Sequence, residues 1–208
     1  MISILNYGMG NLASIQNMFK KLGVPCRQIE TADEINTAQA LVIPGVGKFD
    51  YAMCQIESLG LRKALDQSAL VRKIPILGIC LGMQLMTCSS EEGQLPGLCW
   101  VKADTRMIDG KSDKLLIPHM GWNLVNIKKY SPYFDDDFME YRFYFVHSYA
   151  VHCDNPADVL TTTRYAGEFV SSFSTGNLVG VQFHPEKSHK FGANFMRRFA
   201  VAHDLIRE

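Results

Sequence analysis

The stretch Pro75-Ile76-Leu77-Gly78-Ile79-Cys80-Leu81-Gly82-Met83-Gln84 constrains this chain more than any other. Ile74 to Ile79 is a short, almost uninterrupted apolar run opened by a proline. It reads as a strand buried on both faces, the kind found inside a parallel sheet. From Leu81 the apolar spacing becomes helical, with Leu81, Leu85 and Cys88 at turn-like intervals. Cys80 therefore stands where a strand turns sharply into a helix, and Gly78 and Gly82 flank it. This is the nucleophile-elbow pattern with cysteine in place of serine. A Cβ at either glycine would collide with neighbouring backbone in so tight a turn. At such a place unpaired N–H groups and the helix dipole favour a thiolate. The N–H of Leu81 is aimed where an oxyanion would form. The competing reading, a structural cysteine on a core strand, is set aside because both glycines and the strand-to-helix switch coincide at Cys80.

The segments before the elbow repeat one theme. Ile2 to Leu5 reads as a strand, and Asn6 to Asn11 as a loop in which Asn11 caps a helix. Leu12, Ile15, Phe19 and Leu22 recur with helical spacing, and Gly23 ends the helix. Gly8 and Gly10 suggest a dinucleotide fingerprint, but the third glycine is missing and that reading is dropped. Cys26 to Ile29 and Ala40 to Ile43 are further strands, the latter running into Pro44-Gly45-Val46-Gly47. Leu61 to Val71 is a helix. This β-α repetition implies a parallel sheet with helices on both faces. After Ser90 the texture changes to short strands at Trp100-Val101, Leu115 to Ile117, Leu124 to Ile127, Tyr141 to Val146, Val159 to Thr163, Phe169 to Phe173 and Leu178 to Phe183. These are expected as antiparallel additions to the parallel core. Asp135 to Asp137 reads as a solvated loop, and a last helix begins near Lys190 with Phe191, Phe195 and Phe199 inward.

The 208 residues suffice for one domain, 1–208, with no linker-like stretch. Twenty-one basic and 21 acidic side chains leave no net charge, and no basic patch calls for nucleic acid. No apolar run is long enough to span a membrane, and no signal-peptide pattern opens the chain. The six cysteines make no C-x-x-C pair and no zinc-like spacing with histidine, so no metal is expected. The expected setting is reducing cytoplasm, with Cys80 the one chemically important thiol.

A second constellation ends the Leu178 to Phe183 strand: His184-Pro185-Glu186. In an extended segment residues i and i+2 point the same way, and Pro185 biases His184 towards that conformation. His184 and Glu186 then read as a base and the carboxylate that orients it.

Gly-Ile-Cys-Leu-Gly-Met-Gln at 78–84 and His-Pro-Glu at 184–186 resemble the two signatures of class I glutamine amidotransferases. Asn6 to Leu12, Pro44 to Gly47, Pro118-His119-Met120-Gly121-Trp122-Asn123, Tyr144 to Tyr149 and Gln182 to Ser188 resemble, more narrowly, the glutaminase subunits of imidazole glycerol phosphate synthases. Leu98-Cys99-Trp100-Val101-Lys102 departs from that family's habit, which has a second glycine and a Pro-Gly turn there. The resemblance implies a flavodoxin-like α/β fold with added antiparallel strands, and a Cys80-His184-Glu186 glutaminase. It implies an oxyanion hole from Leu81 and the Val46-Gly47 loop, with Gln84 holding glutamine, and no cofactor. It also implies a heterodimer with a (β/α)8 cyclase/synthase subunit that takes ammonia through a tunnel to make imidazole glycerol phosphate and AICAR in histidine biosynthesis. Asn11, Trp122 and Lys187 would meet that partner. Three other readings stay open. A paralogous glutaminase could feed a different synthase, such as a surface-sugar amidotransferase. A non-catalytic scaffold is opposed by the intact Cys80, His184 and Glu186. A cysteine hydrolase or chaperone of related fold is opposed by the His-Pro-Glu strand end and Gln84.

Overall fold

The computed structural model describes residues 1–110, 115–135 and 138–207. Its first half alternates strands and helices: β1 (Ile2–Leu5), α1 (Leu12–Lys21), β2 (Cys26–Ile29), α2 (Ala32–Thr37), β3 (Ala40–Ile43), α3 (Phe49–Ser58), α4 (Arg62–Asp66), β4 (Ile76–Ile79) and α5 (Leu81–Leu85). α4 continues as a wider π-type turn over Gln67–Val71. The second half is mostly strands: β5 (Ser89–Ser90), β6 (Ala103–Met107), β7 (His119–Ile127), β8 (Tyr141–His147), β9 (Tyr149–Cys153), β10 (Val159–Arg164), β11 (Glu168–Thr175) and β12 (Leu178–Val181). The helix α6 (His189–Ala202) follows.

The main sheet runs in the order β2-β1-β3-β4-β12-β11-β10-β7-β8, with β5, β6 and β9 pairing off its side. The first four strands and β12 are mutually parallel, and the rest of the path is antiparallel. This is the expected α/β architecture, a parallel core of flavodoxin-like order extended by antiparallel strands. Alternation along the strands explains why the core runs look uniformly apolar. Leu41, Ile43 and Ile76 enter one hydrophobic cluster, and Ala40, Val42, Leu77 and Ile79 enter the other, on the opposite face.

Several local expectations change. Leu115 to Ile117 is not a strand: the Leu115 N–H turns back to the Gly110 carbonyl, and Leu116 is 84% exposed. Trp100-Val101 is not a strand either, because both N–H groups bond the Met86 carbonyl and fold the loop over the end of α5. β6 has a weak sequence pattern, because its buried positions are Ala103 and Thr105, which carry little apolar signal. Cys88 and Cys99 form a disulfide, which leaves Cys26, Cys54, Cys80 and Cys153 as free thiols. The bonds Leu98 N–H to Leu85 and Cys99 N–H to Thr87 bring that pair together. Asp135 is not simply solvated, since it accepts from Asn194 and pairs with Arg198 at 3.2 Å. Asp136 and Asp137 lie outside the described residues.

Phe183, just past β12, is fully buried and stacks on Phe143 of β8 with ring centroids 3.8 Å apart. It ties the antiparallel strands to the strand end that carries His184. Phe183→Ala is expected to cost about 3–5 kcal/mol, read by urea unfolding.

Candidate active site

In a parallel sheet, loops at the carboxyl ends of neighbouring strands share one crevice. Here β3, β4 and β12 are neighbours, and each ends in a singled-out motif: Pro44 to Gly47, Cys80, and His184 to Glu186. Val46, Gly47, Cys80, Leu81, Gln84 and His184 line one cavity of about 230 Å³, with Glu92, Pro118 and the segment 146–149 on its other walls.

Cys80 has φ 54° and ψ −109°, a conformation that costs a non-glycine residue strain. Tight neighbours hold it there. A Cβ on Gly82 would run into the Ile43 carbonyl, and one on Gly78 would stand 2.7 Å from the Gly82 oxygen. The Cys80 N–H bonds the Val181 carbonyl at 2.8 Å, which fastens the elbow to β12. The helix beyond is shorter than its apolar spacing suggests. It ends at Leu85, and Cys88 is outside it.

His184 Nδ1 lies 2.8 Å from Glu186 Oε1, and both side chains are buried. The pairing arises differently from the expected extended geometry. Pro185–Lys187 is a turn of 3₁₀ helix, with the Lys187 N–H on the His184 carbonyl, and the turn brings Glu186 back under the ring. A carboxylate on Nδ1 makes that nitrogen the donor and frees Nε2 for reactants. Nε2 is buried and has no hydrogen-bond partner among the described residues. Burial alone would lower the His184 ring, but Cys80 and Glu186 outweigh it and push it up to about 10. Ser188 sets the backbone here: its hydroxyl donates to the His184 carbonyl at 2.6 Å and accepts from the Tyr144 N–H at 2.9 Å.

Val46 and Gly47 reach the cavity from an exposed loop, with Gly47 at φ 125°. The buried Tyr7 hydroxyl donates to the Pro44 carbonyl at 2.6 Å and holds the root of that loop. Burial, then the nearby Cys80, raises the Tyr7 phenol. Glu92 accepts from the Phe49 N–H at the start of α3, whose capping residue Lys48 supplies no side-chain cap.

The other named residues lie on the surface. Asn11 caps α1 by accepting from the Ser14 N–H. Trp122 is 47% exposed, stacks on His189 and meets the edge of Tyr144, its cross-strand partner. Lys187 is exposed, with its ammonium 5.7 Å from the Tyr144 ring centroid. Trp122, Tyr144 and Lys187 thus form one group, and Trp122 is not a core residue.

Sequence reading assigned no role to Tyr7, Glu92, His119, His147, Gln182 or Ser188. All but Glu92 fall inside quoted motifs, so position was the available signal. His119 and His147 are a registered pair across β7 and β8, with Nδ1 of the first 3.0 Å from Nε2 of the second. Burial, reinforced by His119 and His184 and opposed by the bond to Tyr149, pulls His147 down to about 3; burial pulls His119 down to about 4. Both rings are therefore neutral at neutral pH. A base depressed in the folded state destabilises the fold as pH drops below its unfolded value of 6.5. His147 alone should cost about 2 kcal/mol between pH 6.5 and 5. Urea unfolding at both pH values is expected to show this loss, with a shallower slope in His147→Gln.

A family model described as "Glutamine amidotransferase class-I" matches residues 3–202. The chain is 47% identical, over 96% of its length and 98% of the relative, to "Imidazole glycerol phosphate synthase subunit HisH 2" of Methanococcus maripaludis. It is 42% identical to the HisH subunit of Bdellovibrio bacteriovorus, over 96% and 99%. It is 38% identical to "HisH 2" of Pseudomonas aeruginosa, over 96% and 98%. A solved "glutamine amidotransferase" superposes with TM-score 0.76 at 14% identity, covering 98% of both chains. PurLQS of Thermotoga maritima gives 0.72 at 16%, covering 97% of both. These two likenesses concern the fold.

Proposed function

Because this chain belongs to the class-I glutamine amidotransferase family, we propose that it is the glutaminase subunit of an imidazole glycerol phosphate synthase in histidine biosynthesis. It releases ammonia from L-glutamine for a (β/α)8 partner subunit. The observation that carries this reading is one cavity receiving both Cys80 and His184, with Glu186 bonded behind the ring.

Each group has a chemical task. The Cys80 thiolate attacks the side-chain amide carbon of glutamine. The tetrahedral oxyanion sits on the Leu81 N–H and on a peptide N–H of the Val46-Gly47 loop. The charged His184 ring gives its Nε2 proton to the departing ammonia, which leaves a thioester. The neutral ring then takes a proton from water, whose oxygen attacks the thioester carbon and frees glutamate and thiolate. Glu186 keeps the ring in place and offsets its charge through both steps. Both Gln84 N–H groups are already spent, on the Tyr149 carbonyl and on Gln182, so Gln84 offers glutamine its acceptor oxygen.

Cys80→Ala is expected to abolish ammonia release from glutamine, assayed with the barrel subunit and its substrate. A loss below about tenfold would place the nucleophile elsewhere. Cys54→Ala and Cys153→Ala are the controls. Cys88 is unsuited to that use because it is bonded to Cys99.

Ammonia in neutral water is mostly protonated and then no nucleophile, so a partner that receives it directly avoids the loss. The group Trp122, Tyr144 and Lys187, adjoining the His184-Glu186 turn, and the exposed Asn11 form the proposed docking surface of the heterodimer. Trp122→Ala and Lys187→Ala are expected to weaken the complex about tenfold or more in calorimetric titration with the barrel subunit. Their melting temperatures should hardly move, because Trp122 is half exposed. Unaltered affinity in both variants would remove this surface. The number 2 in the names of the Methanococcus and Pseudomonas relatives favours one second reading, a paralogous glutaminase serving another synthase. Product formation with the histidine-pathway barrel distinguishes the two.

A further inference from the structure

Two buried amides, Gln84 on the cavity wall and Gln182 beside Cys80, take no part in the chemical steps. Their polarity follows from one atom, the Tyr149 carbonyl oxygen, which can only accept. Two side chains converge on it: His147 Nδ1 at 2.8 Å and Gln84 Nε2 at 3.2 Å. Both must donate. The same Gln84 nitrogen lies 2.9 Å from one end of the Gln182 amide. That end must accept, so it is Oε1. The opposite end, 3.5 Å from Cys80 Sγ, is therefore Nε2, a donor. Turning both amides over would set the Gln84 oxygen 3.2 Å from the Tyr149 oxygen, two acceptors facing each other.

The outer arm is fixed the same way. His147 donates through Nδ1, so its Nε2 accepts from His119 Nδ1, and His119 Nε2 accepts from Asn123 Nδ2 at 3.3 Å. A proton added to His147 Nε2 would face the His119 N–H, which agrees with rings held neutral by burial.

Gln182 reaches the sulfur because of strand register. Ile79 pairs with Val181 in the parallel ladder of β4 and β12, so the next residues, Cys80 and Gln182, stand side by side. Gln182 is fully buried, and none of its polar atoms is left without a partner. A buried amide on a strand end usually finds backbone. This one is divided between another glutamine and a thiol, an arrangement that favours negative charge on sulfur.

We propose that Gln182 is a further catalytic residue: its side-chain N–H donates to Cys80 Sγ and stabilises the thiolate, with Gln84 and the Tyr149 carbonyl holding the amide in that orientation. The proposal rests on Cys80 as the nucleophile of the function given above. The step it assists is a proton transfer. The S–H bond breaks, its electron pair stays on sulfur, and the proton passes to His184 Nε2. In the thiol form the S–H has the Val146 carbonyl, 3.9 Å away, as its acceptor. In the thiolate form the Gln182 N–H remains as a donor to the sulfur.

The test needs neither glutamine nor partner. The full chain is alkylated with iodoacetamide at pH 7, and labelling of each cysteine peptide is followed by mass spectrometry. Exposed Cys54 serves as the internal reference. Cys153, whose thiol burial pushes up to about 12, reports loss of fold by reacting faster. Gln182→Met keeps length and removes the donor, and it is expected to slow Cys80 about tenfold relative to Cys54. Gln182→Glu, of the same shape, places an acceptor against the sulfur and is expected to slow it at least as much. Gln84→Met removes the hold on the amide without touching Sγ and is expected to give a smaller slowing. Slowed Cys80 with Cys153 still protected, in any of the three, supports the proposal. A Cys80 rate within about twofold of the parent chain in every folded variant overturns it, as does loss of fold in all three, which would make the amides structural. Wild-type chain that releases no ammonia with the partner would sink the functional reading alone and leave this result standing.

Discussion

Ile79 on β4 and Val181 on β12 are ladder partners, and the Cys80 N–H closes the ladder on the Val181 carbonyl. Two chain segments a hundred residues apart in sequence are thereby set side by side at their carboxyl ends. Every functional distance at the site inherits that register. A slip of one residue would turn Gln182 and His184 to the opposite face of the sheet, because side chains alternate along a strand. The register is strongly held, since β4 and β12 are buried throughout and pack apolar side chains into both hydrophobic clusters. Folding free energy from apolar burial thus positions polar groups that could not position themselves.

The polar groups are costly in return. His184, Gln182, His119 and His147 are all buried, and each would destabilise the fold if left without partners. Most have them: Gln182 divides its amide between Gln84 and Cys80, and the two histidines satisfy each other. Within the site, the exceptions among the described residues are His184 Nε2 and Glu186 Oε2. An unpaired ring nitrogen facing a thiol in a ligand-sized cavity is what a proton carrier requires before its substrate arrives. The strain at Cys80 belongs to the same economy of function over local comfort.

The same strands also build the outer surface. β7 and β8 bury His119 and His147 on one face and present Trp122 and Tyr144 on the other, three positions along the same ladder. The Ser188 hydroxyl joins the backbone of β8 to that of His184. A partner settling on the Trp122, Tyr144 and Lys187 group would therefore press on elements that hold His184.

The elbow, the His-Pro-Glu strand end and the β-α repetition were legible in the chain because each depends on local chemistry: apolar period, glycine where a Cβ has no room, proline beside histidine. Cys80, His184 and Glu186 could be named for that reason. Local pattern failed where a neighbour far along the chain decided the outcome. Leu115 to Ile117 has strand-like residues but pairs with no strand among the described residues, whereas Ala103–Met107 has a weak pattern and gains β9 as a partner. Glu186 reaches His184 through a 3₁₀ turn that alternation did not foresee. The Cys88–Cys99 bond and the donor face of Gln182 depend on which groups the tertiary fold brings opposite one another. The amino-acid sequence by itself determined which chemistry this protein can carry; strand register and burial decided which polar atoms meet, because a hydrogen bond's direction is set by its partners and not by the residue that bears it.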